Sequence, residues 1–237
     1  MENDKDLNNL SKNLNSSLKE RPNSKLLIEY KKTLSNLSNI QWEISIGLML
    51  GDTSMQTQNK GRTYRIKFEW GDKNKMYANH VHSVFKEWIL SPPHKKTRVN
   101  INDNIVCTWE FQTMSHEAFN PLSRLFLINK NKGIVNNLIN NYLTAIGLSY
   151  WFMDDGGKLD YNKNSKNQGL ILNTHSFTKE EVEMMNIKLS SKFNLNTEVR
   201  LNKSKHVIVI KSESYEAFMY LTNPYIIPSM RYKLPKL

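Results

Sequence analysis

Two short apolar segments, each closed by glycine and aspartate, recur about a hundred residues apart and set the plan of the chain. In the first, Ile44, Ile46, Leu48, Met49 and Leu50 surround Gly47, and Gly51-Asp52 follows; in the second, residues 143–153 lead into Asp154-Asp155-Gly156-Gly157. Both have the length and apolar density of buried helices, and the glycines of the first admit close approach by a neighbour. Asp155 lies 103 residues after Asp52, and Ser115-His-Glu-Ala-Phe-Asn-Pro-Leu122 shares five of its eight residues with Ser214-Tyr-Glu-Ala-Phe-Met-Tyr-Leu221 at an offset of 99. Offsets that agree in two unrelated stretches predict a duplicated unit. The 237 residues accommodate an α+β protein of two αββαββα halves, 23–135 and 136–237, after an Asn-, Ser- and Lys-rich arm over 1–22.

Within the first half, residues 63–70 alternate strictly. Tyr64, Ile66, Phe68 and Trp70 share one face and Thr63, Arg65, Lys67 and Glu69 the other, as in a half-buried strand. Residues 76–90 predict an amphipathic helix stopped by Ser91-Pro92-Pro93, 94–98 a basic loop, 99–112 a hairpin around Asn102-Asp103-Asn104, and 115–127 a helix. The second half predicts strands over 158–161 and 170–174, a helix over 178–193 capped by Thr178, strands over 197–202 and 207–211 joined by a Lys/Ser turn, and a helix over 214–221. His80 and His82 have no third ligand in view and are expected to pack rather than to bind metal.

Lysine plus arginine exceed aspartate plus glutamate by 11. The first twenty residues hold four acids against three lysines, so the surplus belongs to the folded body and favours a polyanionic partner. Cys107 is the only cysteine, which excludes an intramolecular disulfide and a zinc site built on paired cysteines. No apolar run approaches the ~18 residues of a spanning helix, so no membrane is expected as a partner, and no secretory or transit presequence is visible.

An aspartate at the C-terminal end of a helix faces the negative end of the dipole, at a cost of a few tenths to ~1 kcal/mol. Taken singly, Gly51-Asp52 and Asp155-Gly156-Gly157 read as polar turns after buried helices. In register with a repeat, they read as two carboxylates brought together on a pseudo-twofold axis. Converged carboxylates need a cation such as Mg²⁺, and two acids with a divalent metal suffice for phosphodiester hydrolysis. The carbonyls of Gly51 and Asp154 are further hard-oxygen candidates. Lys132 and Lys233 follow the two acids at nearly equal spacing and can polarise water or balance charge.

Ile46-Gly-Leu-Met-Leu-Gly-Asp52 and Leu148-Ser-Tyr-Trp-Phe-Met-Asp-Asp-Gly156 resemble the paired helices of the LAGLIDADG homing endonucleases in their single-chain form. Ser91-Pro-Pro-His-Lys-Lys96, Asn141-Tyr-Leu-Thr144, Asp160-Tyr-Asn-Lys-Asn-Ser165 and Tyr232-Lys-Leu-Pro235 are similar to the mitochondrial, intron-encoded branch of that family found in the large ribosomal RNA gene. The resemblance runs from about residue 22 to the C-terminus. It implies a monomeric, Mg²⁺-dependent enzyme, with Mn²⁺ substituting and Ca²⁺ binding without cleavage. Such an enzyme cuts both strands of a long asymmetric double-stranded DNA site and leaves 3′ overhangs. The resemblance places Asp52 and Asp155 as metal-binding catalytic acids, Lys132 and Lys233 beside the scissile phosphates, and the protein in mitochondria. The second helix carries Tyr150 and Asp154 where the first has Gly47 and Gly51, which leaves the closeness and symmetry of the pairing open.

On the same resemblance, each half offers a curved antiparallel sheet to the DNA major groove. Thr63, Arg65 and Lys67 in the first half, and Arg200 and Asn202 in the second, are outward strand residues suited to base edges. His94, Lys95, Lys96, Lys158, Tyr161, Asn162, Lys163, Lys203 and Lys205 fall in loops suited to phosphates. The rival expectation is a maturase that keeps this fold and its basic faces but binds intron RNA to assist splicing.

Overall fold

The computed structural model describes residues 24–159 and 169–235. In chain order the elements are α1 (Lys25–Thr33), α2 (Asn39–Leu50), β1 (Ser54–Gln56), β2 (Arg65–Gly71), α3 (Lys75–Val84), β3 (His94–Val99), β4 (Ile105–Gln112), α4 (Asn120–Phe126), β5 (Leu127–Ile128) and β6 (Asn131–Lys132). They continue with α5 (Leu138–Tyr142), α6 (Ala145–Asp155), β7 (Gly156–Leu159), β8 (Gly169–Asn173), α7 (Lys179–Phe193), β9 (Thr197–Asn202), β10 (Lys205–Lys211) and α8 (Tyr215–Thr222). The two four-stranded sheets have the same order of first, second, fourth and third strand: β1-β2-β4-β3 and β7-β8-β10-β9. Each follows an apolar helix, α2 or α6, and has a second helix, α3 or α7, between its second and third strands. This is the duplicated α+β plan expected from the repeat. No helix among the described residues is long and apolar enough to cross a membrane.

The compact units do not follow chain order. One holds residues 24–38 with Met55–Asn120; the other joins Asn39–Ser54 to residues 121–235, so α2 packs with the second half of the sequence. In the first unit, Phe68 of β2 stacks on its register partner Phe111, with ring centroids 4.7 Å apart, and Trp70 meets Tyr77 of α3 at 5.0 Å. His82 packs edge-on against Phe111 at 5.7 Å. In the second, Leu170, Leu172, Ile208 and Ile210 form the core face of the sheet, and Thr178 starts α7 with a complete capping box to Glu181.

Several boundaries differ from expectation for physical reasons. Residues 94–98 are not a loop but the edge strand β3, paired from His94↔Glu110 to Val99↔Ile105. All six of its side chains are exposed, so no apolar alternation announces it, and its charge protects the open edge. Strand β2 begins at Arg65, and Thr63 is held in the preceding turn by the Asn59 side chain. The helix expected to reach residue 90 stops at Val84. A 3₁₀ turn, Lys86–Trp88, then lets Phe85 and Trp88 both reach the core, Trp88 against Phe119. The helix expected from residue 115 starts as the 3₁₀ turn Glu117–Phe119, where the His116 ring accepts the Ala118 N–H. The arm over 1–22 and the strand residues past Leu159 lie outside the described residues.

β9 and β10 are joined by Lys203 and Ser204 alone, at φ 47° and 67°. Positive φ at both central residues is the condition of a type I′ turn, which favours Asn-Gly. Lys203→Asn combined with Ser204→Gly is expected to raise the unfolding free energy by roughly 1 kcal/mol. Urea denaturation measures this, and an unchanged or lower midpoint would show that the native turn is unstrained.

Candidate active site and nucleic-acid face

α2 and α6 are apolar on nearly every side, which suits helices covered all round. Ile44 to Leu50 and Gly147 to Asp154 are buried without interruption. Their contacts progress in one direction. A Cβ built on Gly147 would lie 3.0 Å from the Glu43 carbonyl oxygen. One on Gly47 would lie 2.1 Å from the Gly147 carbonyl oxygen and 3.0 Å from Tyr150 Cβ, and one on Gly51 2.2 Å from Asp154 Oδ2. The helices are therefore parallel and their C-terminal ends meet. At the other end, the Thr144 hydroxyl donates to the Glu43 carboxylate at 2.5 Å and accepts the Gly147 N–H at 3.2 Å, capping α6. The α2 glycines receive the larger Tyr150 and Asp154, so the pairing is close but not symmetric.

Asp52 follows α2, and Asp155 is the last residue of α6. Lys132 Nζ donates to the Gly51 carbonyl and, at 3.2 Å, to the Thr53 carbonyl; Lys233 Nζ donates to the Asp154 carbonyl at 2.8 Å. Each lysine thus holds the carbonyl one residue before an acid. Lys132 is delivered by the β5–β6 hairpin, whose two turn residues Asn129 and Lys130 have φ 51° and 68°. Lys233 ends the 3₁₀ turn Pro228–Lys233, which is tied to α6 by the Ile227 N–H on Met153 Sδ at 3.4 Å. Asn173 Nδ2 donates to the Asp155 carbonyl at 2.8 Å, and the Asp52 N–H donates to Asp154 Oδ2 at 2.7 Å.

Burial pushes the Asp155 carboxyl up to about 7, repulsion from Asp52 adds to the rise, and attraction to Lys132 and Lys233 offsets only part of it. Desolvation also raises Asp52, against the pull of Lys132 and Lys233. Its own surface is open to solvent, but the protein around it is dense enough for the desolvation to dominate. Burial lowers Lys132, and Asp154, Asp155 and Asp52 oppose that shift. Two ammonium groups do not balance three aspartates and two helix C-termini. The donors that converge are hard oxygens, two carboxylates and two carbonyls with a lone pair to spare, which fits a Mg²⁺-like cation. Among the described residues, no group of three or more His, Cys, Asp or Glu side chains is arranged to hold a metal ion.

The face of the first sheet opposite its core carries Lys67 and Glu69 of β2, Glu110 and Gln112 of β4, and His94, Lys96 and Arg98 of β3. Glu110 lies 3.1 Å from Lys96, 3.3 Å from His94 and 3.6 Å from Lys67, and Arg98 reaches Glu69 at 3.4 Å. A groove of about 1210 Å³ opens here, lined by Arg62, Thr63, Arg65, Lys67, His94 and Glu110 among others. Strand alternation sends Lys95 to the opposite face, where it pairs with Asp72 at 3.0 Å. On the second sheet, Arg200, Asn202 and Lys205 share a face with Glu198, which pairs with Arg200, and Lys203 lies in the adjoining turn. An apolar cluster of Ile171, Val207, Val209 and Leu159 occupies the centre of that face. Lys158 stands opposite Leu170 in register, on the other face of edge strand β7. Tyr161, Asn162 and Lys163 lie outside the described residues.

Residues 42–218, which take in α6 and all but the first three residues of α2, match the LAGLIDADG DNA endonuclease family. The chain belongs to this family. It is 48% identical over 213 residues to the "Probable intron-encoded endonuclease 1" of Wickerhamomyces canadensis, covering 90% of this chain and 91% of the relative. It is similar to the structure of the homing endonuclease I-WcaI bound to its DNA recognition sequence, with a TM-score of 0.89 and 45% identity over 94% of this chain and 98% of that one. The cytochrome b mRNA maturase bI2 of Saccharomyces cerevisiae is 29% identical over 202 residues, 81% of this chain and 46% of the relative. The LAGLIDADG chain is a DNA-cleaving hydrolase.

In this LAGLIDADG endonuclease the fold brings Asp52, Asp155, Lys132 and Lys233 together, with the Gly51 and Asp154 carbonyls among them. It does not bring Lys95 or Lys158 to the faces that hold the other cations. Sequence reasoning missed Arg98, the Asp154 carboxylate and Asn173. The signal for Arg98 is its two-residue spacing from Lys96 and His94, hidden when the segment is read as a loop. For Asp154 it is an acid where the partner helix has glycine. Asn173 carries no signal.

A methyl on Gly47 would enter the α6 backbone, so Gly47→Ala is expected to cost about 3 kcal/mol of stability. Gly71→Ala, with nothing within 4 Å, should stay within ~0.5 kcal/mol of the native chain, both by chemical denaturation. The raised Asp155 carboxyl gives stability a pH dependence of defined sign. Without divalent metal, both folded and unfolded chains are protonated there below about pH 4. As pH rises toward about 7 the unfolded chain ionises first, and stability falls by up to about 4 kcal/mol. Thermal melts in a chelator should show this fall, and Asp155→Asn should flatten it.

Proposed function

We propose that this endonuclease is a monomer that acts in intron homing, binding a long asymmetric double-stranded DNA site and cutting both strands to leave 3′ overhangs. The observation that carries the reading is the repeated trio of a carboxylate, the carbonyl preceding it and a lysine on that carbonyl, set at the convergent ends of two parallel helices. One trio per strand supplies the same chemistry to each scissile phosphate. The net charge of +11, the cationic sheet face and the likeness to a homing endonuclease bound to its recognition sequence support a DNA target. The overhang, a mitochondrial location and a target in the large ribosomal RNA gene rest on the family resemblance.

Asp52 and Asp155 would hold the divalent metal, Mg²⁺ first, with Mn²⁺ as substitute and Ca²⁺ as a binding-only analogue; the Gly51 and Asp154 carbonyls are the further donors. The chemistry such an ion supplies when bound is activation of water and neutralisation of charge on the leaving oxygen. The two carboxylates accept hydrogen bonds from the attacking water and orient it. Lys132 and Lys233 place positive charge where the phosphoryl oxygens gain negative charge, in surroundings that screen it weakly. Thr63, Arg65, Lys67, Arg200 and Asn202 contact base edges, and His94, Lys96, Lys203 and Lys205 contact phosphates. The similarity to two cytochrome b mRNA maturases, at 28% and 29% identity, favours a second reading in which the partner is intron RNA.

The native chain is expected to convert a plasmid carrying the intron-less large ribosomal RNA junction into linear product with defined ends when Mg²⁺ is added. Asp52→Asn and Asp155→Asn should each lower that rate by roughly 10³-fold or more while leaving the Kd for DNA in Ca²⁺ within about threefold. Tight binding by the native chain with no cut at any Mg²⁺ concentration would move the assignment to the maturase reading.

A further inference from the structure

Asp154 is a buried carboxylic acid, 6% exposed, which attracts Lys132 and accepts the Asp52 N–H, and whose side chain has no other part in the site described above. Its equivalent on the other helix is Gly51, and a sequence that needed only close packing would use a small residue at both positions. Instead the two positions are complementary. The space beside Gly51 is filled by the Asp154 side chain, with Oδ2 2.2 Å and Cβ and Cγ 2.8 Å from where a Gly51 Cβ would stand. Burying a carboxylic acid is unfavourable unless its oxygens are hydrogen-bonded or paired; Oδ2 accepts a cross-helix hydrogen bond, and the group also attracts Lys132.

The acceptor role is visible at the end of α2. The Leu48 carbonyl receives the Gly51 N–H at 3.0 Å and the Thr53 N–H at 3.3 Å, so the closing turn passes over Asp52. The Asp52 N–H turns instead to Asp154 Oδ2 at 2.7 Å. This amide belongs to the residue that carries the first catalytic carboxylate, and fixing it limits the directions in which that carboxylate can point. The reverse relation is missing, because Gly51 has no side chain to offer Asp155, whose carbonyl is held by Asn173.

We propose that Asp154 is a positioning residue for Asp52, and that cleavage of one DNA strand depends on this cross-helix contact while cleavage of the other does not. The proposal rests on the reading of Asp52 and Asp155 as the acids of two strand-specific centres. Its test is strand-resolved cleavage of an end-labelled duplex by the full chain, with amide hydrogen exchange at Asp52 measured in the absence of DNA and metal. Asp154→Ala removes the acceptor and should change the ratio of the two strand rates by roughly 10- to 100-fold. Asp154→Asn keeps an acceptor oxygen for the Asp52 N–H while removing the attraction to Lys132, and should change the ratio far less than Asp154→Ala does. The Asp52 amide should be protected in the native chain and in Asp154→Asn, and unprotected in Asp154→Ala. Equal slowing of both strands by Asp154→Ala, or equal defects in the Ala and Asn variants, would overturn the proposal. So would rapid exchange of the native Asp52 amide, which needs no variant to fold. A native chain that protects this amide but cuts no DNA would overturn the nuclease reading instead.

Discussion

The site depends on the close approach of α2 and α6. Glycine within a helix costs about 1 kcal/mol relative to alanine, yet Gly47 and Gly147 both stand where the two backbones meet. What the glycines secure is direction and level: parallel helices of similar length end side by side, so Asp52, two residues past the end of one, and Asp155, the last residue of the other, become neighbours. Antiparallel packing of the same helices would set each acid beside the other helix's N-terminus and separate the two carboxylates by a helix length. The Glu43–Thr144 hydrogen bond fixes the opposite end of the pair, so the helices cannot slide without breaking it.

Electrostatically this arrangement is adverse. Two helix C-termini and three aspartates gather in a space that desolvates them, and Asp155 keeps its proton far above the ordinary carboxylate range. The lysines answer both parts of the problem with one contact each. A lysine on the Gly51 carbonyl and another on the Asp154 carbonyl satisfy helix-end acceptors while placing positive charge beside the acids. The residual negative field is the feature that a fold selected for stability alone would have removed, and the cation proposed above would neutralise it.

The parts of this plan that show in the sequence are those carried by local pattern. Apolar density marks α2 and α6, strict alternation marks β2, the Thr178 cap marks α7, and the common offset of the two acids marks the duplication. β3 was illegible because it buries nothing: its existence depends on hydrogen bonds to β4, and its residues alternate between two solvated faces. The repeat made the pairing of α2 with the second acid-tipped helix legible, but not that α2 belongs to one compact unit with residues 121–235 rather than with the sheet that follows it. The exchange of Gly51 for Asp154 across the helix pair was visible as a departure from the repeat, but its physical reason was not. Each residue departs from its counterpart in the repeat, and the reason for each departure is the other.

Duplication gives the protein a reason to be symmetric, so the places where symmetry fails are informative. It is kept in the strand order of the sheets and in the lysine-carbonyl-acid relation, where one task is performed twice. It is lost on the sheet faces. The first presents interleaved cations and glutamates, while the second is apolar at its centre, with Arg200, Asn202 and Lys205 toward the β9–β10 side. Two identical faces would address equivalent half-sites and suit a palindrome. Faces this different fit the asymmetric duplex proposed above, and where the paired helices end the same inequality recurs: the Asp52 amide is held from across the helix pair and the Asp155 carbonyl from its own sheet.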